Sequence, residues 1–179
     1  MGMYSLLAEA LRYPAPGRIE ILQAAEMQMP EGDLKKKFNA FLVGVGDLTL
    51  AEGEELYTRT LDLNPPAAPY LGYQMWGDSY QRGQFMSSLN QAFRAEEIDL
   101  DGELPDHLIP ILRYLDLVSD PLAELVEILE PAVGRMLAGL RKAESNNPYD
   151  HLLSAILTSF SAAHLNSSVE EDALKLQAF

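Results

Sequence analysis

The chain has 179 residues, a length that fits one domain with a full hydrophobic core, and its 47% hydrophobic content excludes a disordered protein. It has no cysteine, which excludes disulfides, thiolate metal sites and a cysteine nucleophile, and which favours a reducing, cytoplasmic compartment. The net charge of −14 argues against a nucleic-acid partner, because 35–37 is the only cluster of basic residues.

The N-terminal stretch lacks the features of a signal peptide. Its apolar run has no basic region before it and is broken by Glu9 and Arg12, so we expect no signal peptide. No window of about 18 uncharged apolar residues occurs anywhere, so we expect no membrane span.

The composition favours helices throughout. Leu occurs 30 times, whereas Val and Ile together occur 13 times and Thr four times, and no run alternates with a period of two. We predict an all-α fold, a single-domain helical bundle of about seven to nine helices that spans 1–179. In chain order, the spacing of apolar residues predicts helices over 3–13, 17–29, 33–45, from 50 onwards, 79–95, 106–118, 121–142 and 149–165.

Local signals mark several helix ends. The residues 62–69, DLNPPAAP, predict a non-helical linker, because prolines remove backbone donors. Pro131 predicts a break or kink in the helix over 121–142. The tail over 166–179 can cap itself or fray. The predicted N-terminal caps are Thr49 with Glu52 as a capping box, Asp78 with Gln81, and Asp120 followed by Pro121.

An acidic segment follows the middle of the chain. Residues 96–130 carry eleven Asp and Glu against a single Arg. Such a patch either attracts a basic partner, for example a cationic peptide, or is a solvated surface that keeps the protein soluble; charge alone favours the second interpretation.

Part of this segment resembles a calcium loop. Glu97, Asp99, Asp101 and Gly102 match positions 1, 3, 5 and 6 of an EF-hand, but position 12 is Leu108 instead of a bidentate Glu. We therefore expect no calcium site.

A transition-metal site is equally unsupported. Histidines occur only at positions 107, 151 and 164, and no two of them are spaced as ligands on one helix face. We expect no metal.

Asp106 and His107 are the most suggestive pair for acid–base chemistry. No nucleophile elbow, P-loop or dinucleotide glycine pattern accompanies them. Each also has a structural alternative, because a carboxylate at a helix start offsets the helix dipole and His107 can be buried on the Ile111 and Tyr114 face. An all-helical enzyme or nucleotide-dependent switch that uses this pair stays open as an alternative.

Residues 70–86 form a second dense segment. It contains the only Trp, four other aromatic residues and three glycines. Aromatics at helical spacing usually belong to the core, but the mixture with polar residues and glycines is unusual for pure core and favours a groove. Arg82 can pair with Asp106 and lock the two segments together.

Three stretches, in order along the chain, carry a resemblance to a known family. They are LLAEALRYP at 6–14, YTRTLDLNPPAAPYLGYQMWGDSYQRGQFMSSL at 57–89 and ELPDHLIPILRYL at 103–115. Each motif alone is modest, but all three in this order are specific. The sequence is similar to the NarJ branch of the TorD/DmsD/NarJ superfamily, the redox enzyme maturation proteins that act as cytoplasmic assembly chaperones of molybdenum enzymes such as nitrate reductase.

The resemblance implies an all-helical chaperone without catalytic activity of its own. Its partner would be the catalytic subunit of a molybdenum oxidoreductase, bound through an N-terminal peptide that is a twin-arginine signal or its remnant. The chaperone would hold that subunit until molybdopterin guanine dinucleotide is inserted, without binding a cofactor stably itself, and it would be a monomer or homodimer.

The resemblance and the aromatic content together give a predicted client-peptide site, with an apolar groove, an acidic rim over 96–130 and helical recognition of the peptide. Asp106 and His107 are expected at the mouth of this groove, so Asp106→Ala is expected to weaken client binding more than it lowers the melting temperature. The predicted site residues are Trp76, Gly77, Asp78, Tyr80, Arg82, Gly83, Met86, Glu103, Leu104, Pro105, Asp106 and His107.

Overall fold

The structure is a computed structural model that describes residues 1–161, so the predicted tail over 166–179 lies outside the described residues. The described part is helical without a β-strand, which confirms the all-α prediction. Its α-helices are α1 (Met3–Ala10), α2 (Arg18–Glu26), α3 (Asp33–Gly46), α4 (Leu50–Tyr57), α5 (Leu71–Trp76), α6 (Tyr80–Ala95), α7 (Leu108–Leu117), α8 (Ala123–Ala143) and α9 (149–161).

The first two helices end earlier than predicted. α1 ends at Ala10 instead of position 13, and α2 ends at Glu26 instead of position 29. The residue before a proline is restricted to extended backbone, so Tyr13 before Pro14 cannot continue α1. The chain between the two helices therefore forms an irregular connection, and its residues line two clefts described below.

One of the three predicted caps is confirmed. Thr49 Oγ1 accepts a hydrogen bond from the Glu52 backbone N–H at 3.3 Å, and Glu52 Oε2 accepts one from the Thr49 N–H at 2.8 Å. This reciprocal pair satisfies two of the unpaired donors at the start of α4.

The other two caps were wrong. α6 is capped by Ser79, whose Oγ accepts from the Arg82 N–H at 3.3 Å, so the helix begins one residue later than an Asp78 cap requires. α8 begins after Leu122, which has no side-chain cap. Leu122 is the N-cap residue and packs partly against the core, so Asp120 lies two residues before the cap position.

Pro131 does not break α8, which is continuous over 21 residues. Proline removes the N–H that would bond the carbonyl of Glu127 one turn earlier. Both Glu127 and Pro131 are solvent-exposed, so water can satisfy the freed carbonyl and the helix continues.

The proline-rich linker is confirmed as non-α-helical. A π-helical turn, Thr58–Asp62, leads into it, and it contains a 3₁₀ turn, Pro65–Ala67. The helix α5 that follows was not predicted, since six residues are too few for helical periodicity to show. Arg135 of α8 satisfies a backbone carbonyl near the end of α5. Its Nη1 donates to the Gln74 carbonyl oxygen at 2.8 Å.

α1 and α7 pack against each other and are joined by a carboxylate. Both oxygens of Asp116, on α7, accept backbone hydrogen bonds at the start of α1, from Tyr4 N at 3.2 Å and Ser5 N at 3.1 Å. This cap fixes the direction in which α1 leads into the connection before α2.

No helix within residues 1–161 combines the length and the apolar character needed to cross a membrane.

Candidate functional site

The predicted ion pair between Arg82 and Asp106 is present and joins α6 to the loop before α7. Arg82 Nε donates to Asp106 Oδ2 at 2.8 Å, and Nη2 donates to Oδ1 at 3.3 Å. Asp106 is fully buried, whereas Asp78, which accepts from Arg82 Nη1 at 2.9 Å, is 86% exposed. Two parallel hydrogen bonds in a buried site make this a strong pair.

The same loop is tied to the start of α5 by backbone contacts. Leu71 N donates to the Asp106 carbonyl at 2.8 Å, and Leu108 N donates to the Pro69 carbonyl at 2.7 Å. A Cβ atom at Gly72 would lie 2.8 Å from Asp106 Oδ2, so the close approach of α5 requires glycine there.

His107 caps α7. Its Nδ1 accepts a hydrogen bond from the Ile109 N–H at 3.1 Å, and its ring packs edge-to-face on Tyr70 with the centroids 4.9 Å apart. Burial lowers the pKa of His107 to about 4, so the imidazole is neutral at pH 7. His107 is buried, which agrees with the structural alternative given for it in the sequence analysis.

These contacts correct the position predicted for Asp106 and His107. They were expected at the mouth of a groove, but Asp106 is 0% and His107 2% exposed. The reason is that Arg82 reaches over the loop and holds both carboxylate oxygens inside the core. Both side chains of the pair that the acid–base alternative relied on are thus shielded from solvent in this structure.

The other predicted site residues lie in several environments. Pro105 is buried, Arg82 is largely buried, and Trp76 packs edge-to-face on the buried Phe85, with ring centroids 5.3 Å apart. The partly buried ones are Trp76, Gly77, Met86 and Glu103. The exposed ones are Asp78, Tyr80, Gly83 and Leu104.

Some carboxylates of the acidic segment 96–130 make ion pairs and hydrogen bonds within the fold. Asp101 Oδ2 accepts from Arg12 Nη1 and from Arg113 Nη2, both at 2.8 Å, and the hydrogen bond from Arg113 holds the pKa of Asp101 below its usual range. Asp116 caps α1. Asp101 therefore makes ion pairs with two arginines. Within residues 1–161, no group of three or more His, Cys, Asp or Glu residues is placed to hold a metal.

Two adjoining clefts lie beside the predicted site. The first, called the proline cleft, measures about 270 Å³ and lies between residues 14–19, which lead into α2, and the end of α3 with the start of α4. Its apolar lining includes Pro14, Pro16, Ile19, Leu22, Phe41, Val45, Leu48 and Leu50. Apolar, concave surface of this kind is typical of ligand and peptide sites.

The second, called the tyrosine cleft, measures about 190 Å³. Its lining consists of Arg12, Tyr13, Arg18, Tyr57, Asp101, Glu103 and Ile109. Arg12 and Arg18 line both clefts, so the two share a wall. Of the predicted site residues, Glu103 is the one that reaches the tyrosine cleft.

Sequence reasoning missed most of the tyrosine cleft. Tyr13 and Tyr57 form an edge-to-face pair with ring centroids 5.2 Å apart, although they are 44 positions apart in the sequence. The available signal was the Tyr13–Pro14 element, which belongs to the first of the three motif stretches. Its meeting with Glu103 depends on tertiary packing.

No protein-family model matches the chain, and no curated protein matches it at a significant level.

Proposed function

We propose that this protein is a cytoplasmic, NarJ-type chaperone. It binds the N-terminal peptide, a twin-arginine signal or its remnant, of the catalytic subunit of a molybdenum oxidoreductase. It holds that subunit for insertion of molybdopterin guanine dinucleotide and for assembly, holds no cofactor stably itself and performs no covalent chemistry. The client is nitrate reductase or a related molybdenum enzyme.

The observation that carries the proposal is the convergence of the three motif stretches. Arg82 of the second stretch pairs with Asp106 of the third. Tyr13 of the first stretch and Glu103 of the third line the same cleft. Residues that are far apart in the chain and that carry the resemblance thus belong to one connected region.

The adjoining clefts support peptide binding in particular. The proline cleft offers apolar surface, and the tyrosine cleft next to it offers carboxylates and aromatic rings. A peptide that combines apolar and basic residues complements such a surface, and the net charge of −14 attracts it over a distance.

Deletion of the gene tests the proposal in the cell. We expect molybdenum-enzyme activity to fall and the catalytic subunit to accumulate without its cofactor, as measured by the molybdopterin content of the purified subunit. Re-expression of the chain restores both. Full activity and full cofactor content of every molybdenum enzyme in the deletion strain would refute the proposal.

A further inference from the structure

We infer that a third cleft, called the methionine cleft, is the docking surface for a segment of this same chain, residues 168–179. The cleft measures about 530 Å³ and lies between the start of α1, the connection from α2 to α3 and the last turn of α9. Its apolar lining consists of Met3, Tyr4, Met29, Pro30 and Leu34. The inference concerns the packing of the chain itself, so it does not depend on the proposed function.

The first argument is that the polar groups of the cleft already have partners. The carboxylates of Glu31 and Asp33 each lie 2.6 Å from a lysine Nζ of α3. The hydroxyls of Thr158 and Ser159 donate to backbone carbonyls of the preceding turn of α9, at 2.9 and 2.6 Å. The surface that the cleft presents for binding is therefore apolar, and it suits an apolar occupant better than a small charged ligand.

The second argument is that the hydrophobic core reaches the surface here. Met3, Tyr4 and Leu34 are partly buried and pack against the core, and the Tyr4 ring lies 6.0 Å from the ring of the buried Phe160, measured between centroids. A second apolar surface would remove the exposed parts of these side chains from water. A cleft of about 530 Å³ falls within the range of ligand sites, about 300–1,000 Å³, so it holds several side chains.

The third argument is the course of the chain. Thr158 and Ser159 lie in the last turn of α9, whereas Tyr149, at its first position, lines the proline cleft at the other end of this helix. The residues after position 161 therefore start within one helical turn of the methionine cleft. The stretch 162–168 spans up to about 25 Å when fully extended, which is ample for the segment after it to reach the cleft.

The fourth argument is the sequence of the segment itself. Ser168 and Glu171 match a capping box, and Val169, Ala173 and Leu176 recur at the spacing of one helix face. A helix of this length is marginal in water by itself, because most helical stability in proteins comes from packing an apolar face. The methionine cleft offers such a surface where the chain leaves α9.

The charges beside the cleft are compatible with an acidic segment. Residues 168–179 carry three carboxylates and one lysine, a net charge of −2, in a chain of net charge −14. On the wall between α2 and α3, the three lysines at 35–37 balance Glu26, Glu31 and Asp33. Lys36 is exposed and has no carboxylate of the described residues within 4 Å, so it can pair with the segment.

Disulfide trapping in the full-length chain tests the inference, since the chain contains no native cysteine. The test variant carries Gly32→Cys and Lys175→Cys. Gly32 lines the cleft in extended backbone, with φ 163°, and a Cβ atom there meets no described atom within 4 Å. The matched control carries Gly83→Cys with Lys175→Cys, because Gly83 is also exposed and equally free of neighbours but lies on α6.

Under mild oxidation we expect the Gly32 variant to form its intramolecular disulfide about tenfold faster than the Gly83 variant, as measured by mass spectrometry of proteolytic peptides. Adding Leu176→Asp removes this difference, because it places a carboxylate on the apolar face of the segment. Leu174→Asp is the same change off that face and keeps the difference.

Equal rates for the two glycine positions, or equal effects of the two aspartate variants, would overturn the inference. A mixture of ¹⁵N-labelled and unlabelled copies separates docking within one chain from docking between chains. We expect the disulfide to join residues of the same copy. Disulfides between labelled and unlabelled copies would assign the cleft to a second copy of the chain and would also overturn the inference.

Discussion

The buried pair between Arg82 and Asp106 gives the sharpest prediction about stability. We expect Asp106→Asn to destabilise the protein strongly, because the change keeps the shape of the side chain but turns an accepting oxygen into a donor facing a guanidinium. Asp106 is 0% exposed and its two oxygens lie 2.8 and 3.3 Å from Arg82 nitrogens. Breaking a pair in such a site costs about 3–5 kcal/mol.

The low end of that range applies here, about 3 kcal/mol, since Arg82 keeps its second partner Asp78 at 2.9 Å. For a chain of this size, the loss corresponds to a fall in melting temperature of about 6–12 °C. Asp78→Asn is the matched control. It removes the same charge from the same arginine but at an 86% exposed position, where an ion pair contributes less than about 0.5 kcal/mol.

The assay is urea unfolding followed by Trp76 fluorescence and by far-ultraviolet circular dichroism. We expect the midpoint of Asp106→Asn to fall with an unchanged denaturant slope, while that of Asp78→Asn barely moves. Equal, small losses in both variants would refute the reasoning, because they would mean that Asp106 is as well solvated as Asp78. The result also bears on the expectation that Asp106→Ala mainly weakens client binding, since its burial now predicts a structural effect.

Three further predictions concern the surrounding structure. Burial lowers the pKa of His107 from 6.5 to about 4, so unfolding takes up a proton below pH 6.5 and the stability contributed by neutral His107 is lost as the pH falls towards 4. His107→Asn, which keeps a helix-capping side chain, should remove about 2 kcal/mol of the stability loss between pH 7 and pH 5 in unfolding experiments; an unchanged pH profile would contradict a buried neutral imidazole. Asp116→Ala should cost about 1–2 kcal/mol by thermal unfolding, because it leaves the first N–H groups of α1 without their acceptor, and a loss below about 0.3 kcal/mol would show that water replaces the cap. Gly72→Ala should lower the melting temperature and lose part of its additional effect in an Asp106→Ala background, where the carboxylate oxygen that the added Cβ would meet is absent; strict additivity of the two changes would refute the contact.

The helical class was predictable because it depends on local composition. The Arg82–Asp106 pair was predictable because the two opposite charges lie in the aromatic segment 70–86 and in the acidic segment 96–130. The helix caps were harder, since Ser79 and Asp78 are both good capping residues and only the packing of α6 decides between them. The side on which Leu122 packs could not be read from local sequence either.

The candidate site was the least predictable part. The aromatic residues of 70–86 were expected to line a groove, yet Trp76 and Phe85 pack on each other. The clefts instead lie beside the connection between α1 and α2. There Tyr13 packs on Tyr57 and lines the same cleft as Glu103, an arrangement that depends on how the helices pack. Charge density in the sequence also did not reveal that Asp101 and Asp116 serve the fold.

The most direct measurement of the central claim is isothermal titration of the full-length chain with the N-terminal peptides of the molybdenum-enzyme catalytic subunits from the same genome. The account predicts that one of these peptides binds saturably, at one peptide per chain, that a scrambled peptide of the same composition does not, and that added salt weakens the binding. Absence of binding by every such peptide, or equal binding of the scrambled control, would contradict it.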